Sequence, residues 1–182
     1  MLKYNILIGL FTGFLFNASC FAQDCKLIKE ESDIKYYIRN SGIMSEGNFT
    51  DFDVQLKFNS ENLKQTEVKA VIRTASVNSG IKLRDSHLKA KDFFDVQNYP
   101  DAIFVSKEIK SEEGKNTLIV IGDLTIKGIT KQVTLPLTYQ IRNGRYYFEG
   151  KVKINRNDFK VGYMFTLSDT AEIVLKVAAE KK

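Results

Sequence analysis

Apolar and polar residues alternate one by one through eight short runs between residues 34 and 177, and that period of two leaves few folds open. Successive side chains of a β-strand point to opposite faces, so strict alternation describes a strand with one buried and one solvated face. Ile34, Tyr36 and Ile38 alternate with Lys35, Tyr37 and Arg39. Phe52, Val54, Leu56 and Phe58 alternate with Asp53, Gln55 and Lys57. The pattern returns at 68–74, 102–106, 118–126, 133–139, 148–154 and 171–177. Glu113-Gly114, Lys127-Gly128 and Asn143-Gly144 are turn signals between runs; Asn143-Gly144 is the strongest because both residues tolerate positive φ. Short strands at this spacing predict an all-β antiparallel barrel or sandwich and argue against βαβ units.

One stretch departs from the alternation. Within 79–99, Leu83, Leu88, Lys91 and Phe94 fall at roughly helical spacing, with Asp85 and Ser86 near the start. This predicts a short helix of about three turns between the third and fourth strands, the alternative being a loop packed by Phe93 and Phe94.

The first 22 residues have the form of an export signal. Lys3 precedes an apolar run over 6–16, shorter than the ~20 residues a spanning helix needs. Cys20 and Ala22 place small residues before a cleavage point at Gln23, leaving one domain over 23–182 and a periplasmic or secreted location as the expectation. Ala18-Ser19-Cys20 also resembles the end of a lipobox, with Asn17 departing from it. In that second reading Cys20 carries a lipid and tethers the domain to a membrane. After simple cleavage Cys25 is the one cysteine left, in a polar segment, so the core and not a disulfide holds the fold.

Composition narrows the function. Apolar residues are 43% and charged residues 27%, in both signs, with a net charge of +5. The lysines and arginines alternate with apolar residues along strands, as on a solvated face, and no nucleic-acid-reading motif accompanies them. His87 is the only histidine. No CxxC pair, metal-ligand spacing or cofactor motif is present. Asp85, Ser86 and His87 are triad residue types, but adjacent side chains diverge, whereas a triad converges from separate places.

An eight-stranded barrel is either filled by its side chains or holds one ligand. Ala70, Ala102, Ser106, Gly122, Gly150 and Ala171 put small residues on the apolar faces, beside Tyr36, Phe104 and Phe148. Two readings stand: they leave room for a ligand, or they relieve crowding and shape the sheet. Ile72, Phe104, Leu124 and Phe148 are the candidate channel lining. Phe49, Phe52, Phe58, Phe93, Phe94 and Phe104 itself read first as core. Burying an apolar chain there is worth about 25 cal/mol per Å².

Ordered motifs carry a resemblance. Arg84-Asp85-Ser86-His87-Leu88, Asp92-Phe93-Phe94-Asp95 and the segment from Tyr99-Pro100 through Phe104 to Ser106 come in that order. Gly47-Asn48-Phe49-Thr50-Asp51-Phe52 precedes them. Gly122-Asp123-Leu124-Thr125-Ile126-Lys127-Gly128-Ile129-Thr130 and Asn155-Arg156-Asn157-Asp158-Phe159 follow. Together they resemble the YceI family of lipid- and polyisoprenoid-binding proteins. The resemblance implies an extended lipocalin-like barrel whose apolar channel holds a polyisoprenoid, quinone-like or fatty-acyl chain. It also implies a bacterial periplasmic or secreted setting, often as a dimer, and no catalysis. Arg84 and His87 are then candidates to meet a polar ligand head at the mouth. Lys127 stands where the family usually has histidine, and Lys160 where a glycine commonly follows the last motif, so that bend is expected to be shaped differently, with Gly162 available to make it. Beside the carrier reading stand an enzyme acting on a bound lipid and a packed envelope stress protein.

Overall fold

The alternating runs become strands that hydrogen-bond round a closed ring. The computed structural model describes residues 23–59, 62–111 and 116–182. The expected leader with Cys20 and the Glu113-Gly114 turn lie outside the described residues. In chain order the strands are β1 (Gln23–Asn40), β2 (Ile43–Phe49), β3 (Phe52–Phe58), β4 (Glu67–Arg73), β5 (Val77–Asn78), β6 (Asp101–Ser111), β7 (Thr117–Ile126), β8 (Ile129–Arg142), β9 (Arg145–Asn155) and β10 (Leu167–Lys181). All pairings are antiparallel. The wall runs β10-β9-β8-β7-β6-β4-β3-β1, and β1 returns to β10. β2 and β3 act as one strand bent at Thr50 and Asp51, pairing with the second and first parts of β1. β5 likewise continues β4 beyond a 3-10 turn at Thr74–Ser76 and pairs with β2. The result is an eight-stranded lipocalin-like barrel, and closure removes the unpaired edges that an open sheet of this length would expose.

Side-chain parity sorts the two faces. Phe52, Val54, Leu56 and Phe58 are buried and their alternates exposed along β3. Leu118 and Val120 on β7 and Tyr146 and Phe148 on β9 are likewise buried, between alternates that are mostly half-buried. Lys127 and Gly128 (φ 53° and 73°) and Asn143 and Gly144 (φ 50° and 75°) make the tight hairpins expected of those pairs.

β1 begins well before the first clean alternation. Between Ile28 and Asp33 its register with β10 shifts, and the Ser32 hydroxyl bridges the irregularity, donating to the Ile28 carbonyl (2.7 Å) and accepting from the Ala178 N–H (2.9 Å). The bulge breaks parity within a charged run, which hid this part of the strand. Cys25 is therefore not in a polar tail: it is 5% exposed, and burial pushes its thiol above the ordinary range, as for a packed core side chain.

The helix α1 (Lys82–Lys89) sits between the third and fourth strands of the wall, as expected, but spans only eight residues. Ala90 is extended and ends it, and Asp95 turns left-handed at φ 51°. Residues 90–98 instead form successive turns that drive Phe94 inward, edge-on to Phe49 at 5.7 Å.

Lys160 takes the left-handed conformation itself (φ 54°, ψ 41°), so the bend after Phe159 survives without a glycine, and Gly162 (φ 71°) adds a second turn. Lys160→Gly is expected to stabilise the protein by about 1 kcal/mol, the relief of left-handed strain less glycine's extra unfolded-state freedom. A higher melting temperature for the variant checks this.

Candidate functional site

The barrel is not filled. Its inward faces enclose a cavity of about 500 Å³, within the range of small-molecule sites. The wall is almost wholly apolar, with Ile34, Val54, Ala70, Ile72, Leu124 and Ile173 among its side chains. Both readings of the small residues apply, at different positions. Ala70, Ala102 and Ala171 line the cavity. Gly122 and Gly150 do not leave room for a ligand, because neighbours occupy the space. A Cβ at Gly122 would lie 2.6 Å from Phe104 Cζ, and one at Gly150 would collide with Leu137 and lie 2.7 Å from the Pro136 carbonyl oxygen. Ser106 serves the wall, accepting the Val68 N–H at 2.9 Å.

The two ends differ. At one end Phe58 meets Tyr139, Tyr146 and Phe148 edge-to-face at 5.4, 5.0 and 5.2 Å, forming an aromatic floor whose Phe148 ring lines the cavity and backs onto the others. At the other end α1, residues 90–94 and the loop over 161–167 make a roof that does not seal. Ile81, Leu83 and Met164 line the cavity there while remaining 54%, 68% and 48% exposed. Apolar surface thus runs from the rim into the interior.

Polar side chains fix this mouth. Asp85 Oδ1 accepts from the Ser79 N–H (2.7 Å) and hydroxyl (2.5 Å), pinning the start of α1. Those bonds, the hydroxyl's first, hold the Asp85 carboxyl below its ordinary range. Arg84 donates through Nη1 to Ser45 Oγ and through Nη2 to the Ser79 carbonyl, both at 2.6 Å, tying α1 to β2. Lys127, in the place of the family's histidine, spans the Lys91 and Lys160 carbonyls at 2.7 and 3.0 Å. Arg156 is 6% exposed and reaches five backbone carbonyls of the 161–168 segment.

The six residues singled out in the sequence all lie on the cavity. Ile72, Phe104 and Leu124 are in the wall, Phe148 reaches the floor, and Arg84 and His87 belong to α1 in the roof. His87 is exposed, and Asp85 is engaged by Ser79, so they do not form a relay. Among the described residues, no three His, Cys, Asp or Glu side chains are grouped to hold a metal ion. Sequence reading missed Arg156, although it continues the inward parity of Phe148, Gly150, Val152 and Ile154. It also missed the roof loop, whose apolar residues do not alternate.

Relatives agree with this architecture. The YceI-like domain profile matches residues 26–179. A UPF0312 protein of Pseudomonas putida is 32% identical over 187 aligned positions, covering 96% of this chain and 95% of that protein. The crystal structure of Burkholderia cenocepacia BcnA superposes with a TM-score of 0.80 at 30% identity, over 84% of this chain and 99% of that one. A polyisoprenoid binding domain from Saccharophagus degradans shares the fold, with a TM-score of 0.71 at 15% identity, over 88% of this chain and 99% of that one. With the domain matched along most of its length, the chain belongs to the YceI-like family.

Proposed function

We propose that this protein binds one long apolar lipid, a polyisoprenoid, quinone-like or fatty-acyl chain, and carries or stores it without catalysing a reaction. The observation that carries the proposal is an apolar cavity of about 500 Å³ with an aromatic floor and an apolar mouth. A chain entering there removes apolar surface from water throughout, at about 25 cal/mol per Å². The polyisoprenoid binding Saccharophagus degradans domain, built on the same fold, supports this ligand class. Asp85 and Lys127 are engaged in holding the mouth, the first by Ser79 and the second by two carbonyls. The cavity also argues against a fully packed barrel.

Export belongs to the same proposal. A carrier in the periplasm or outside the cell fits the leader read at 1–22, with Cys20 as a membrane tether if it is lipidated, and pairing into a homodimer is compatible with it. Intact mass of the mature protein distinguishes cleavage before Gln23 from lipidation at Cys20.

The central test is native mass spectrometry, with analysis of lipids extracted from protein purified from its own host. One long-chain lipid per barrel, unchanged on incubation, is the expected result. Protein that copurifies with no lipid and takes none up after delipidation would sink the carrier reading. Conversion of the lipid over time would establish the enzyme instead.

A further inference from the structure

We propose that the Tyr36 hydroxyl and Arg84 Nε form a polar subsite within the apolar cavity that grips an oxygen acceptor on the head of the bound lipid, most tightly when that head is anionic. The inference rests on the carrier function and makes its ligand an amphiphile, a carboxylate- or phosphate-headed chain, and not a plain hydrocarbon.

Tyr36 Oη and Arg84 Nε are buried without a hydrogen-bond partner, and both side chains line the cavity. Tyr36 is only 9% exposed. Leaving a buried donor unmade costs about 1–3 kcal/mol, so two of them on side chains that line one cavity mark a place where a partner is missing. The chemistry of that partner follows from the donors. Arg Nε–H can only donate, and a tyrosine hydroxyl donates readily, so the partner is an acceptor. Burial raises the Tyr36 phenol above its ordinary range and keeps its proton in place.

Both groups are held ready. The other two Arg84 nitrogens are fixed on Ser45 Oγ and the Ser79 carbonyl, and Ser79 is fixed by Asp85. These Arg84 hydrogen-bond partners are neutral oxygens; the Asp85 carboxylate is near enough for its charge to act on both Arg84 and Tyr36, so an anionic head is drawn by the guanidinium and opposed in part by Asp85. Tyr36 pairs across the strands with Gly47, where a Cβ would lie 2.5 Å from the tyrosine oxygen. The glycine thus makes room for the hydroxyl end of the ring. Arg84 is near enough for its charge to act on the Tyr36 phenol. A head held here lies beneath α1, and its tail runs down the barrel towards the aromatic floor.

The test titrates delipidated protein with geranylgeranyl phosphate, palmitate, geranylgeraniol and phytane. Wild type is expected to bind the two anions more tightly than phytane. Tyr36→Phe should weaken the anions about tenfold, the scale of one hydrogen bond to a charged group, and leave phytane unchanged. It should also leave the melting temperature of the lipid-free protein unchanged or raised, because it removes an unsatisfied hydroxyl. Arg84→Met should weaken the anions further. Sensitivity of palmitate alone assigns a carboxylate head, and of geranylgeranyl phosphate alone a phosphate head. Equal binding of phytane and the anions by wild type, or equal weakening of all four ligands by Tyr36→Phe, overturns the subsite while leaving the carrier function standing. Failure of wild type to bind any of the four overturns the carrier function itself.

Discussion

Arg156→Met is expected to destabilise the protein by about 3 kcal/mol, the upper end of the scale for losing hydrogen bonds to a charged group, and to release the roof loop. The guanidinium donates through Nε to the Ser168 carbonyl (2.9 Å), and through Nη1 to those of Val161 (3.2 Å) and Gly162. Nη2 reaches the carbonyls of Met164 (3.2 Å) and Leu167 (2.9 Å). Hydrogen bonds to a charged group are worth about 1.5–3 kcal/mol each, but these five share one side chain and do not add. Water will also satisfy some carbonyls once the loop is free. The nearby Asp169 is 3.5 Å away and 69% exposed, so this ion pair contributes little. Lysine has three donors on a single nitrogen and cannot span the same arc, so Arg156→Lys should recover only part of the loss. Urea unfolding gives the stability, and amide exchange over 161–168 gives the loop. A variant within about 1 kcal/mol of wild type, with unchanged exchange, would contradict the assignment. The roof side chains Val161, Met164 and Leu167 would lose their place, so bound lipid should leave faster.

The uneven legibility of this chain has a physical basis. Alternation reports local, one-sided burial, and wherever a strand keeps parity, as in β3, β7 and β9, its inward residues could be read directly. Parity fails at a bulge, and the first part of β1 was hidden behind the shift between Ile28 and Asp33. Small residues were ambiguous because their meaning depends on the neighbouring strand. Ala70 opens onto the cavity, whereas the ring of Phe104 fills the space above Gly122. The length of α1 was overestimated because Leu88, Lys91 and Phe94 keep helical spacing even where turns replace the helix. Ile72, Phe104, Leu124 and Phe148 could be placed on the cavity because each lies on the apolar side of an alternating run. Tyr36 and Arg84 could not be joined, because only barrel closure and the fold of α1 over β2 bring them to one site. Arg156 carried a signal, its inward parity, but a charged residue at such a position reads as the end of a strand until its carbonyl partners are seen.

Phe58→Ala is expected to cost about 3–5 kcal/mol and to open the closed end of the barrel. Phe58 is 2% exposed and stands in the middle of the floor, edge-on to three rings at 5.0–5.4 Å. Its replacement removes that apolar burial together with ring contacts worth about 0.5–1.5 kcal/mol each beyond area. Tyr139, Tyr146 and Phe148 sit on paired strands β8 and β9, whose backbone bonds hold them in place, so the void can collapse only partly. That puts the cost in the upper part of the range. The functional effect separates floor from wall. A wall substitution such as Ile72→Ala enlarges the cavity and changes how well a chain fits. Loss of the floor removes the stop against which a tail ends, so the variant should accept longer chains than wild type while binding short ones less tightly. Denaturant unfolding measures the first effect, and a titration across polyisoprenols of increasing length measures the second. If the variant kept the wild-type length preference, the aromatic cluster would be a stabilising core element alone, and the length of the bound chain would have to be set at the mouth.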